Sequence, residues 1–263
     1  MILPPCMRRS ADFYLRLFFF LLLILTVNAE PSSAFDHAYA VYGSVLSVYV
    51  KNGLVDYSGL KSDPGGLRSF LESTERVQRR EFESWPRREQ LAFLINVYNA
   101  RTLELVIDNY PVKSIKDTGS GGKGPWDRPI VKVFGETITL NELENGTIRK
   151  NYKEPRIHFA LVCAAMGCPP LLDKPYAGAG LDAQLETRTK KFLSDTGKNS
   201  LDEKSKTLRL SPIFEWYAGD FEAEAGSVAG FLKEYYGGLP LDGYIIVYTD
   251  YDWSLNDNSD KME

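Results

Sequence analysis

The stretch REQLAFLINVYNARTLELVIDNYP, residues 88–111, carries the longest helical pattern in the chain. Its apolar residues cover most of the circumference of a 3.6-residue turn, and a proline ends it. A helix that is apolar nearly all round is buried, so the spacing predicts a central helix around which the rest of the chain packs. Asn96 and Asn99 lie three apart on one face of this helix, and buried amides need partners. Either they hydrogen-bond neighbouring backbone, or one of them is a polarising donor toward an oxyanion or a substrate carbonyl. The two readings differ in whether the amides face a cavity.

Working outward, residues 35–50 repeat Tyr39, Tyr42, Val45, Leu46 and Tyr49 at helical spacing, and residues 55–57 suit a short extended piece. Residues 67–74 predict a further helix after the turn Asp63-Pro64-Gly65-Gly66. On the other side, TGSGGKGPWDRP (residues 118–129) is glycine-rich and reads as a flexible surface loop without regular structure. It fails as a phosphate loop because Pro125 stands where the lysine is required. Residues 130–134 and 137–140 predict a hairpin turned at Gly135-Glu136, followed by a helix over 141–150. Helices follow at 181–193, 211–221 and 228–236, with strands at 208–210 and 245–251. The mixture is α+β: a single domain, helix-rich, with a small, mainly antiparallel sheet.

The N-terminus bears on location. LFFFLLLILTV (residues 17–27) is an apolar run of 11 residues preceded by Arg8, Arg9 and Arg16. A membrane-spanning helix needs about 20 apolar residues, whereas a signal-peptide core needs about 7 to 15 after a basic segment. Val27 and Ala29 supply small residues at the spacing a signal peptidase reads. The expectation is a signal peptide over residues 1–29, a globular domain over 30–263, export to a periplasmic or extracellular space, and no membrane span after cleavage. The net charge of −4, with arginines interleaved among glutamates, argues against a nucleic-acid partner.

RIHFALVCAAMGCPPL (residues 156–171) holds His158, Cys163 and Cys168. With only two histidines in the chain, and His37 near the expected mature terminus, any histidine-dependent chemistry rests on His158. A thiolate needs a base or cation nearby to lower its pKa, which makes Cys163 the candidate nucleophile and His158 its base. Spacing opposes a direct pair within one regular element, because residues five apart point apart on both a strand and a helix. A break over residues 164–167 would be needed. The other readings are a local Cys163–Cys168 disulfide, made possible by export, or plain core packing. The segment itself suits either a buried strand or a short helix started by Pro155 and stopped by Gly167.

Acids beside aromatics supply a rival chemistry: Asp127 follows Trp126, Glu215 and Asp220 flank Trp216-Tyr217, and Asp252 precedes Trp253. Glu215 and Asp220, five apart, diverge on one helix, which weakens a glycosidase reading. Two histidines without close partners make a poor metal site, so no metal and no cofactor is expected. Asn145-Gly146-Thr147 is a glycosylation acceptor pattern or a turn.

Four ordered blocks carry a resemblance: EQLAFLINVYNARTLELV (89–106), RIHFALVCAAMGCPPL (156–171), SPIFEWYAGDF (211–221) and YDWSLND (251–257). Over roughly residues 57–257 the chain resembles the bacterial and plant family catalogued as domain of unknown function 547, and the resemblance implies kinship without a reaction. From the residues, the leading expectation is a cysteine-dependent hydrolase or acyl transferase of the cell envelope, with Cys163, His158, and Asn96 or Asn99 as its machinery. The alternative is a non-catalytic envelope binding protein with a Cys163–Cys168 bond, its partner a small molecule, peptide or glycan.

Overall fold

Helix α5 (Arg87–Asn109) is the axis of the fold, buried on nearly every side from Leu91 to Ile107. The structure, a computed structural model, describes residues 34–258; the expected signal peptide over 1–29 lies outside the described residues. Before α5 come α1 (Ala40–Tyr49), α2 (Tyr57–Ser62), α3 (Gly65–Arg76) and α4 (Arg79–Ser84). Helix α1 packs on α3, with the rings of Tyr42 and Phe70 stacked 4.4 Å apart. Arg101, inside α5, is held by Glu75 and Glu104 at 2.6 and 2.7 Å, so its buried charge is paired.

Two hairpins follow local rules that the hydrophobic pattern alone understated. Strands β1 (Val50–Lys51) and β2 (Leu54–Val55) are joined at Asn52-Gly53, both at positive φ, which is the two-residue turn that Asn-Gly favours. Gly53 lies against Pro170, where a side chain would collide. Strands β3 (Pro129–Val133) and β4 (Glu136–Thr139) pair with Val133 opposite Glu136. Their turn is therefore Phe134-Gly135, with φ of 56 and 78°, one residue earlier than the Gly135-Glu136 turn expected. The glycine-rich segment also holds more structure than expected. Ser120 and Lys123 bridge across Gly121-Gly122, and Pro125–Asp127 forms a 3₁₀ turn with Pro125 buried.

Helix α6 (Glu142–Arg149) has the wide turn of a π-helix. Helix α7 (Leu181–Leu193) matches its expected bounds. The helix expected over 211–221 is two, α8 (Ile213–Trp216) and α9 (Ala218–Ala225), with Tyr217 out of helical geometry between them. Helix α10 (Val228–Lys233) follows. Strands β5 (Ser200–Asp202), β6 (Thr207–Leu210) and β7 (Ile245–Tyr248) make one sheet, antiparallel between β5 and β6 and parallel between β6 and β7. The architecture is helix-rich α+β with small, mainly antiparallel sheets, as the pattern implied. Among the described residues no helix is long and apolar enough to cross a membrane.

The core has two centres. One surrounds α5; the other gathers Phe159, Phe192, Phe214, Phe221 and Phe231. Residues 157–159 cross between them, for Ile157 packs into the first and Phe159 into the second. His158 therefore sits on the seam.

Candidate functional site: a disulfide-walled aromatic cavity

The segment 155–168 is neither strand nor α-helix. Pro155 opens a 3₁₀ turn, Pro155–Phe159, whose start is capped by the Glu154 side chain, and the turn ends well before Gly167. The chain then runs along α5, where Asn99 accepts from the Val162 amide at 2.9 Å and donates to the Ala160 carbonyl at 2.9 Å. Asn96 makes the same two-way clamp on Tyr176. At Ala164 the backbone turns left-handed, with φ of 59°. This break brings Cys163 and Cys168 together, and their sulfurs are bonded.

The C-terminal segment pins the cysteine loop from outside. Met166 and Gly167 donate their amides to the Ser254 and Asp252 carbonyls, both at 2.8 Å, and Asn256 donates to the Ala164 carbonyl. A Cβ at Gly167 would come within 3.0 Å of the Asp252 backbone, so the close approach favours glycine there. Tyr251, from the same segment, places its hydroxyl 3.1 Å from each sulfur.

Beside the disulfide lies a cavity of about 210 Å³, lined by both cysteines, His158, Glu144 and the rings of Tyr98, Trp126, Trp216, Tyr217, Tyr251 and Trp253. The tryptophans form an angled wall, with Trp253 5.9 Å from Trp126 and 5.9 Å from Trp216. Lys116 sets its ammonium 3.6 Å from the centre of the Trp253 ring. The volume is below the range of roughly 300 to 1,000 Å³ usual for drug-sized ligands.

His158 Nε2 lies 2.7 Å from Asp220 Oδ2. An ionised carboxylate only accepts, so Nε2 carries the hydrogen. The imidazole stacks on Tyr217 at 3.8 Å between centroids. Burial lowers the His158 pKa, against the opposing pull of the Asp220 hydrogen bond. Arg149 donates to Asp220 from Nε at 2.7 Å and from Nη2 at 3.0 Å. Burial alone would raise the Asp220 pKa, but the hydrogen bonds from His158 and Arg149 outweigh it and hold the carboxyl below its usual range. His158 is thus a neutral, oriented imidazole, and Asp220 an ionised carboxylate shared with Arg149.

Glu144 projects from α6 and is 5% exposed. Burial, with the Glu144 charge added, pushes the Tyr98 and Tyr217 phenols well up, so both hydroxyls stay protonated beside it. The Arg149 guanidinium is engaged by Asp220 and Asn145, and among the described residues no Lys or Arg is ion-paired to Glu144.

Of the residues singled out in sequence, Cys163, Cys168 and His158 share one cavity. Asn96 and Asn99 do not line it, because both ends of each amide are taken by backbone. The acids of the glycosidase reading are scattered: Asp127 accepts from Asn141, Asp252 accepts from Ser254, and Glu215 is exposed. Asp220 alone reaches the site, through His158, because the break at Tyr217 turns it away from Glu215. Sequence reasoning passed over Glu144, Arg149, Tyr98 and Tyr251. Nothing in the local pattern separates Glu144 and Arg149 from other charges on an amphipathic helix. Among the described residues no group of three or more His, Cys, Asp and Glu is placed to hold a metal ion.

The fold and site together define a helix-rich α+β domain with a closed disulfide forming one wall of an aromatic cavity. Residues 82–193 match the model of the family described as "Protein of unknown function, DUF547", which supports the resemblance for the blocks at 89–106 and 156–171; the blocks at 211–221 and 251–257 lie outside the match. The match contains α5, Glu144, His158 and both cysteines; Asp220, Tyr251 and Trp253 lie beyond it. No curated protein and no solved structure matches the chain.

Proposed function

We propose that the chain is an exported, non-catalytic binding protein of the cell envelope that takes a small ligand into the disulfide-walled cavity. The observation that carries the reading is the cavity itself, about 210 Å³ and rimmed by tryptophan and tyrosine rings. It is supported by what the candidate catalytic groups are doing. The two sulfurs are bonded to each other, and the Asn96 and Asn99 amides serve backbone, which leaves the cavity without a free thiol or an amide donor from α5. The size suits a compact small molecule, or one side chain or sugar ring of a peptide or glycan. Export rests on the apolar run at residues 17–27, and N-terminal sequencing of the secreted protein tests it: a chain beginning at Glu30 supports cleavage, and a retained run refutes it.

The second reading is a cysteine-dependent hydrolase or acyl transferase whose Cys163 is a free thiol in the exported protein. Its support is that Cys163 and His158 share the cavity, with the Tyr251 hydroxyl beside the sulfur. Intact mass with and without reduction and alkylation separates the two. Thiols that stay masked until reductant is added fit the binding reading; free Cys163 in the protein as exported, labelled faster with His158 than with His158→Ala, fits the enzyme.

A further inference from the structure

Resting on the binding reading, we propose that the cavity's ligand is a small organic monocation, a substituted ammonium held by the faces of Trp126, Trp216, Trp253 and Tyr251, with Glu144 as its counter-charge. Among the described residues no Lys or Arg is ion-paired to Glu144, and the Lys116 ammonium stands on the Trp253 ring rather than on that carboxylate. Glu144 and Asp220 are both carboxylates, whereas Arg149 is the one guanidinium paired at the site and its fork is closed on Asp220. His158 adds no charge while it is neutral. A buried carboxylate without a cation is costly, and the hydroxyls of Tyr98 and Tyr217 soften that cost without neutralising it. A ligand that brings one positive charge completes the site.

The walls suit such a ligand. Ring faces attract ammonium groups within about 6 Å of the centroid, tryptophan most strongly; Trp216, Tyr251 and Trp253 pack against one another with centroids 4.8, 4.6 and 5.9 Å apart, so a ligand meets them as one aromatic wall rather than from between them. The chain already places one cation on this wall, since Lys116 lies over Trp253. Trp216 is 47% exposed, an indole left open to solvent at a cavity whose interior is otherwise dominated by rings.

The test uses the full chain with its disulfide intact, titrated by calorimetry and followed by indole fluorescence. The probes are choline, its uncharged isostere 3,3-dimethylbutan-1-ol, and N-acetylglucosamine. Choline should bind and the isostere should bind about tenfold more weakly or less. Glu144→Gln, shown folded by its melting curve, should bring choline down toward the isostere and leave the isostere unchanged. Equal binding of choline and the isostere overturns the inference, as does a Glu144→Gln protein that binds choline as wild type does. Binding of the isostere or N-acetylglucosamine without choline overturns it too, while leaving the binding-protein reading standing. Failure of all three probes to bind counts against both.

Discussion

His158 and Asp220, 62 residues apart in sequence, meet at 2.7 Å, and the same Asp220 oxygen accepts from Arg149 Nε at 2.7 Å. The contact ties α6, the 3₁₀ turn and α9 into one polar joint at the seam between the two hydrophobic centres. Asp220→Asn keeps the shape but leaves Arg149 without its counter-charge and weakens the bond to His158. Breaking a paired charge in a partly buried setting is expected to lower stability by about 2–3 kcal/mol. Urea denaturation measures it. A loss below about 0.5 kcal/mol would mean that the joint behaves like an exposed ion pair.

The same joint predicts how stability depends on pH. The folded pKa of His158 lies below its usual value, so as pH falls the unfolded chain takes up this proton first. Stability from this group is complete above about 6.5 and declines as pH falls below that value. Asp220 has a depressed folded pKa, so its contribution is present above about 3.9 and is lost at lower pH, as the solution approaches the folded value. His158→Gln removes the first decline and leaves the second in weakened form, carried by the Arg149 hydrogen bonds to Asp220. Denaturation midpoints at pH 7 and pH 5 check this, and His37, present in both proteins, cancels in the comparison. Parallel curves for wild type and variant over this interval would contradict it.

Cys163 and Cys168 close a short loop, and a bridge of this span restricts the unfolded chain by about 2 kcal/mol. Cys163→Ser and Cys168→Ser should lower the melting temperature by similar amounts, and the double variant by no more, because either change removes the same bond. After reduction, Tyr251→Phe should slow thiol alkylation at neutral pH, since the hydroxyl that lies 3.1 Å from both sulfurs stabilises a thiolate by donating to it. Unchanged alkylation would remove Tyr251 from any account of thiol reactivity.

Asn96 and Asn99 each join α5 to passing backbone by two buried hydrogen bonds. Asn96→Ala or Asn99→Ala leaves a buried amide and a buried carbonyl without partners, at an expected cost of about 2–4 kcal/mol. Calorimetric melting measures the loss. Asn96→Ala should leave cavity binding as it is; a stable variant that has lost binding or activity would instead restore the donor role considered from sequence.

What the sequence by itself determined was local. The apolar circumference of residues 88–111 fixes a buried helix whatever surrounds it, because no exposed face is polar enough to solvate. Period and terminator residues likewise set α7 to its residue bounds, and proline set the start of the turn at Pro155. The Asn52-Gly53 turn rests on equally local backbone preference, of which the apolar period carries no sign. The partners came from tertiary structure alone. Nothing near Asn99 in sequence states that residues 160–162 will pass it, and nothing near His158 selects Asp220 over Glu215. That choice follows from Tyr217 leaving helical geometry and turning α9 onto the imidazole. Glu144 is an ordinary helix-face charge until the turn over 155–159, the cysteine loop and the aromatic C-terminal segment close over it. Helices and tight turns are encoded over a few residues because their hydrogen bonds close over a few residues. The cavity exists only where contacts across the whole chain length bring its walls together.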